Sequence, residues 1–358
     1  MIKNRYLKNI YKEMNKKKTK KEIFDDFLKD HPEIKFEKTI GEGGFGLVNE
    51  VKYKNKSYAA KLVKREKKYN ESDLVYEFKS LNIVKIVKIY DKKYEDTNES
   101  YNLIIMEKAN LRDAKQFQSN FFNDINFIIK PPFEGIVGDN FIRFFTKQII
   151  QGLESLNRSE YSHFDIKPDN ILIFLGMLLK LTDFSLLRNP NEIKRYDDKV
   201  EIPGGTAGYL SPEYYLHSKV SIDVAKKQDY FALGSTIYYL KYKKNMLPYK
   251  EYKEDIMNCD ILIDLLQRAI DFLRSEELSD KDFVDFLISL IQYDPKERPI
   301  FEEIYRNKWL NKYSKDISQI YYANQHDEGK LILELNKNDY LKHKKREKKI
   351  LKKFVFKI

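Results

Sequence analysis

The sequence predicts an α+β chain in two lobes, a small β-rich N-terminal lobe ahead of a larger, mainly helical C-terminal lobe. Three observations predict it. The glycine-rich run 41–46 is followed by two strand-like segments joined by a polar turn. Downstream, the apolar spacing changes to the helical period. Across 358 residues, 42% are hydrophobic, enough to fill the cores of two compact units and too many for a disordered chain. Cys259 is the single cysteine, which excludes a disulfide framework and a structural zinc cage.

Taken in order, residues 1–35 form a basic N-terminal extension with helical spacing at Ile23, Phe24, Phe27 and Leu28. Strands are expected over 47–53 and 57–63, with a turn at Lys54-Asn55-Lys56 between them. A helix is expected over 71–81 and a strand over 101–107. The segment 141–156 places Ile142, Phe145, Ile149, Ile150, Leu153 and Leu156 on one broad face, and 225–241 and 281–292 behave likewise. The C-terminal extension, 311–358, ends in a Lys-rich tail over 342–353. The longest apolar run, 171–179, is far short of the roughly 20 residues of a spanning helix, and no apolar stretch follows the Lys-rich start, so neither a membrane span nor a secretory signal is expected.

Gly41, Gly43 and Gly46 fit G-x-G-x-x-G with Val48 two residues on. Glycines let backbone N–H groups approach phosphate oxygens without a Cβ in the way. A dinucleotide loop needs a helix directly after the glycines and an acid about 20 residues further on. Here a strand follows and Lys61 stands at that distance, which favours a strand–loop–strand flap over a nucleotide. Lys61 is a candidate phosphate cation and Glu77 its candidate carboxylate partner, with Glu71 and Asp73 as rivals nearer the helix start. The stretch His163-Phe164-Asp165-Ile166-Lys167-Pro168-Asp169-Asn170 puts a carboxylate, a cation and an amide on one short loop. In phosphoryl transfer these orient a hydroxyl, steady the phosphate and help to hold Mg²⁺, and Asp183 adds a second carboxylate for the metal. A crevice between the lobes is the expected ligand site.

Those motifs, with Gly205-Thr206-Ala207-Gly208-Tyr209-Leu210-Ser211-Pro212-Glu213, Asp229 with Gly234, and Asp294 to Pro299, resemble the eukaryotic protein kinase superfamily, serine/threonine type. The likeness covers 36–310, split as 36–107 and 108–310, and implies a two-lobed kinase-like fold. It implies Asp165 as catalytic base, Lys167 at the γ-phosphate, Lys61 paired with Glu77 on the α/β-phosphates, and Asn170 and Asp183 on Mg²⁺, with Mn²⁺ as a substitute ion. Ile40, Gly41, Gly43, Gly46, Val48, Ala59 and Leu172 are then the nucleotide-facing set, Met106 the gatekeeper, and Glu107 and Ala109 the hinge. Glu213 and Arg298 are the structural ion pair, Asp229 the brace of the catalytic loop, and His163, Phe184 and Leu81 an internal stack. The implied activity is ATP-dependent transfer of phosphate to protein hydroxyls, and the alternative is a nucleotide-binding pseudokinase acting as scaffold or allosteric partner.

Two departures matter. Phe164 stands where the family carries arginine, and no Ser or Thr lies between Leu186 and Gly205, so both sides of a phosphate-driven activation-segment switch are missing. Ser185 stands where glycine is usual. Asp169 is a candidate acid for basic residues near the target hydroxyl. The stretch 113–140 is long, and its Phe121, Phe122, Ile125 and Phe127 are expected to pack on the large lobe. The net charge of +11, densest at 12–21 and 342–353, reads as solvated tails, with nucleic acid, acidic lipid or a nuclear import receptor as the alternative partner. A cytoplasmic setting follows from the lone cysteine, with nuclear entry through the Lys-rich termini as the alternative.

Overall fold

A computed structural model describes residues 18–43, 46–65, 78, 80–111, 113–117, 139–174, 178–191, 195–196, 199–276 and 280–312. Glu77, the Phe121–Phe127 cluster and the Lys-rich runs 12–17 and 342–353 lie outside them. The chain divides into two compact units, 1–77 with 84–108, and 78–83 with 109–358.

The first unit is a five-stranded antiparallel sheet in the order β1-β2-β3-β5-β4. Its strands are β1 (Ile34–Gly43), β2 (Gly46–Tyr53), β3 (Lys56–Lys64), β4 (Ile86–Tyr94) and β5 (Glu99–Met106). Lys54 and Asn55 both take positive φ, as a two-residue hairpin requires. At Gly46, φ is 148° and a Cβ would stand 2.3 Å from the Leu62 carbonyl oxygen, so only glycine fits where β2 begins. One face of the sheet is covered by helix α1 (Lys20–Asp30). A reciprocal capping box starts this helix: Glu22 N–H donates to Thr19 Oγ1 at 3.2 Å, and Thr19 N–H donates to Glu22 Oε2 at 2.7 Å. Ile23, Phe24 and Phe27 then fall on one stripe and join Leu47, Val51, Tyr53, Leu62, Leu103 and Ile105 in a single core. Lys92 donates to Asp30 at 2.6 Å and Tyr94 to Asp26 at 3.0 Å, pinning the helix to β4. The helical spacing seen at the N-terminus is therefore that of a core element.

The second unit is mainly helical. Helix α2 (Asp139–Arg158) buries all six apolar residues expected on its face. It packs beside the hairpin of β6 (Ile171–Phe174) and β7 (Leu178–Leu181). β8 (Arg195–Tyr196), β9 (Lys199–Glu201) and β10 (Lys219–Ser221) form a small antiparallel sheet. The helices that follow, besides the single turn Tyr249–Tyr252, are α3 (Pro212–Leu216), α4 (Ile222–Lys226), α5 (Gln228–Tyr242), α6 (Cys259–Ser275), α7 (Lys281–Leu290), α8 (Phe301–Tyr305) and α9 (Lys308–Asn311). The helix expected over 225–241 is thus two, parted at Lys227. Trp309 closes the core, its ring 5.0 Å from Phe283 and 5.2 Å from Phe286.

Two expectations met different outcomes here. The Glu213–Arg298 pair forms as a buried bidentate bridge, with both N–H···O distances 2.7 Å. Arg298 Nε also donates to the Gln292 carbonyl at 2.9 Å. Arg298→Ala leaves the Glu213 charge buried and alone, and is expected to cost about 3–5 kcal/mol, read as a lower urea midpoint at unchanged slope. Leu81, by contrast, is not in an internal stack. It lies in a turn and is 50% exposed. Leu181 N–H donates to Asn82 O at 2.8 Å and Ile83 bridges to Leu181, so the residues next to Leu81 pair with β7. Among the described residues of 71–81, Phe78 is buried, edge-on to Tyr161 at 5.6 Å.

Candidate active site

In the first unit, register places the expected nucleotide residues on the sheet face opposite α1. Cross-strand partners share a face, and Val48 pairs with Lys61, which pairs with Ile104. Glu50 pairs with Ala59, which pairs with Met106. Gly41 sits opposite Val48, and Gly43 opposite Gly46 at the end of the hairpin. Lys61 is 6% exposed, an ammonium at the centre of an otherwise apolar row. Ile40, on β1, is 45% exposed. Glu107 is held extended, its N–H donating to Lys85 O at 3.0 Å and its carboxylate accepting Lys85 N–H at 2.7 Å. Lys108 donates to Glu50 at 2.6 Å, and this bond together with that from Ser57 holds the Glu50 carboxyl below its usual range.

In the second unit, the loop 163–170 is built around Asp229, in the first turn of α5. Its carboxylate accepts His163 N–H at 2.6 Å and Phe164 N–H at 2.8 Å. Two successive N–H groups can meet one carboxylate because Phe164 takes φ 63°, a left-handed state that a bulky residue seldom adopts. Burial pushes the Asp229 carboxyl up, and the two N–H bonds offset only part of that. The brace expected of Asp229 is present. His163 accepts from Asp165 N–H through Nδ1 at 3.3 Å, so its Nε2 carries the proton and donates to Thr182 O at 3.0 Å. With its ring 5.4 Å from Phe184 and both ring nitrogens engaged, His163 is a packed group.

Asp165 is 2% exposed and accepts three side-chain bonds. Thr206 donates to Oδ1 at 2.6 Å, while Lys167 and Asn170 donate to Oδ2 at 2.7 and 2.9 Å. Lys167 also donates to Thr206 Oγ1 at 2.6 Å, closing a ring of three. A carboxylate offers about four lone-pair sites, so Oδ1 keeps one that can receive an alcohol proton. Gly205 permits the approach: φ is 148°, and a Cβ would stand 2.5 Å from Leu210 Cδ2 and 3.1 Å from Phe164 O. Asn170 spends its NH₂ on Asp165, which leaves its Oδ1 as the free-facing end of the amide. Asp183 takes φ 62° and accepts Ser185 Oγ–H at 2.9 Å. Asp183 and Asn170 are hard oxygen donors of the kind Mg²⁺ takes alongside phosphate oxygens, so the residues present fit that ion. Leu172 lies on β6, and Ala109 begins the longer of the second unit's two stretches of chain.

Sequence reasoning had Thr206 only as a branch marker. Its bond to Asp165 spans 41 positions, and no local pattern announces it. It also missed Lys115, whose ammonium meets Asp169 at 2.9 Å in an exposed ion pair. Among the described residues, no helix is long and apolar enough to cross a membrane.

The family model for the protein kinase domain matches residues 34–310. Serine/threonine-protein kinase MPS1 of Encephalitozoon cuniculi is 27% identical over 289 residues, 78% of this chain and 43% of that protein. Aurora kinase of Saccharomyces cerevisiae is 28% identical over 285 residues, 76% of this chain and 68% of that protein. Serine/threonine-protein kinase RAD53 of the same yeast is 25% identical over 332 residues, 85% of this chain and 37% of that protein. The chain thus spans less than half the length of two of these three relatives.

Proposed function

The chain belongs to the protein kinase family, and from that premise we propose that it is an active serine/threonine protein kinase, passing the γ-phosphate of Mg·ATP to protein hydroxyls without phosphorylation of its own activation segment. The observation that carries the proposal is the ring of Asp165, Lys167 and Thr206, with Asn170 on the same carboxylate. A substrate hydroxyl donates to the remaining site on Asp165 Oδ1, which orients it and takes its proton as the new O–P bond forms and the γ-phosphorus parts from the bridging oxygen, releasing ADP. Lys167 offsets the charge gathering on the transferred group. In the proposal Lys61, with Glu77, takes the α/β-phosphates. Ile40, Val48, Ala59 and Leu172 flank the purine beside Met106, and the backbone of Glu107 and Ala109 reads its edge. Asp183 and Asn170 would hold the metal, which would offset the negative charge of the phosphate oxygens.

Phosphate-independence rests on the packing of Phe164. The side chain is fully buried and stacks on Tyr214 at 6.5 Å, within an apolar cluster of Val200, Val220 and Ala225. Leu186, Ile202 and Leu210 of the same segment pack on that cluster. Apolar burial and the β9–β10 pairing order a segment that a phosphate would otherwise have to gather. The proposal keeps the end of the catalytic domain at 310, takes α1 and the start of β1 into it because they fill the core of the first unit, and keeps 311–358 as an extension and a cytoplasmic setting.

Transfer of radiolabelled γ-phosphate to a general acceptor protein and to the chain itself tests this. Asp165→Asn and Lys61→Met are each expected to lower the rate by at least about a hundredfold, the lower end of what a general base contributes. Asp165→Asn should still bind Mg·ADP in calorimetry. Wild type that binds the nucleotide and phosphorylates nothing, itself included, makes the chain a pseudokinase scaffold instead.

A further inference from the structure

From the geometry after β7 we infer that Ser185 is a positioning residue, whose hydroxyl aims the Asp183 carboxylate at the divalent ion. The inference rests on the proposed kinase reading and assigns a role to a residue that the family pattern leaves as glycine.

The turn is braced at every other point. Phe184 is buried against His163, and Leu187 N–H donates to Phe184 O at 3.1 Å, closing a single 3₁₀ turn over Phe184–Leu186. Arg188 Nη1 donates to Ser185 O at 2.9 Å and to Leu187 O at 2.8 Å. Arg188 is itself fixed by a two-way backbone exchange with Ser162, at 2.9 and 3.1 Å. The backbone of Ser185 is therefore pinned, and its side chain is short. Its Oγ reaches Asp183 Oδ1 at 2.9 Å and donates there.

That bond has two consequences. Asp183 takes a left-handed backbone, and a donor on one carboxylate oxygen restrains rotation of the group. A carboxylate held through Oδ1 presents a defined set of remaining lone pairs to a cation, as groups bonded to metal ligands commonly do. A side chain also costs nothing at this position: Ser185 is not among the residues with positive φ, so the glycine usual here is not demanded by the backbone.

The test measures Mn²⁺ binding by electron paramagnetic resonance in the presence of ADP, beside ADP binding in EDTA. Ser185→Ala is expected to weaken Mn²⁺ about tenfold, the lower end for loss of a group bonded to a metal ligand, with ADP affinity in EDTA unchanged. Ser185→Thr keeps the hydroxyl and should restore Mn²⁺ affinity. On an Asp183→Asn background the alanine change should add nothing further, a coupling that a merely structural serine does not produce. Unchanged Mn²⁺ affinity in Ser185→Ala overturns the inference and leaves the kinase reading standing. So does a folded Ser185→Thr that binds as weakly as a protein lacking the hydroxyl, which also decides the matter should the alanine variant not fold. Wild type that binds ADP but no Mn²⁺ overturns the reading itself, and the inference with it.

Discussion

Phe164→Arg is expected to abolish transfer and to lower the melting temperature sharply, and phosphorylation of the chain should restore neither. The family pattern places arginine here, so the change restores a common residue at the price of a buried cation. Phe164 is 0% exposed and sits among Val200, Tyr214, Val220 and Ala225. Asp229, which holds the adjacent backbone, already spends both oxygens on the N–H groups of residues 163 and 164. An unpaired guanidinium in that cluster costs several kcal/mol, against about 5–15 kcal/mol for the stability of a whole domain. Phe164→Ala, which leaves a cavity without a charge, should cost about 3–5 kcal/mol. Melting curves and initial rates before and after phosphatase treatment measure both variants. A folded Phe164→Arg protein whose activity rises on phosphorylation would show that the apolar cluster does not replace a phosphate, and the phosphate-independent reading would go.

Removal of residues 1–33 is expected to unfold the first unit or leave it aggregating, although the family match starts only at residue 34. The cut takes away Ile23, Phe24 and Phe27, which are 3%, 1% and 0% exposed. At about 1.5–3 kcal/mol for each fully buried side chain, the loss is roughly 5–9 kcal/mol before any relaxation. It also bares Leu47, Val51, Leu103 and Ile105 on one sheet face, a patch that invites association. Phe27→Ala is the milder form, at about 3–5 kcal/mol. The same docking should weaken in acid. Burial pushes the Asp26 carboxyl up, but bonds from Lys18, Tyr94 and Lys29 outweigh it and hold the group below its ordinary 3.8. The stabilisation is thus complete above about pH 4 and fades as pH falls through the lowered value. Urea titration of the shortened chain reads the effect, and an unchanged midpoint would mean that α1 is an ornament on the sheet.

What could be read from the chain beforehand followed its local patterns. Period 2 beside the Lys54-Asn55 turn marked β2 and β3, and the 3.6-residue spacing marked α2, because those periodicities arise within a few residues. The catalytic loop was legible as a composition: carboxylate, cation and amide within six positions. β4 went unread, since its lysines and tyrosines alternate without a clean apolar face. Helix α6 was also passed over, and α1 was taken for a charged extension because its polar face dominates the count. Leu81 was misplaced by carrying a helical period into the turn that leads to the pairing of Asn82 and Ile83 with Leu181.

By itself, then, the order of residues determined which chemical groups exist and which secondary elements carry them, for propensity and apolar spacing act over neighbours along the chain. Only the tertiary structure decided that Thr206 and Lys167 share the oxygens of Asp165, that Lys115 meets Asp169, and that Phe164 is core. Thr206, Lys115 and much of the Phe164 cluster are brought in from dozens of positions away. Contacts of that kind are set by how whole elements pack, which no window along the chain contains.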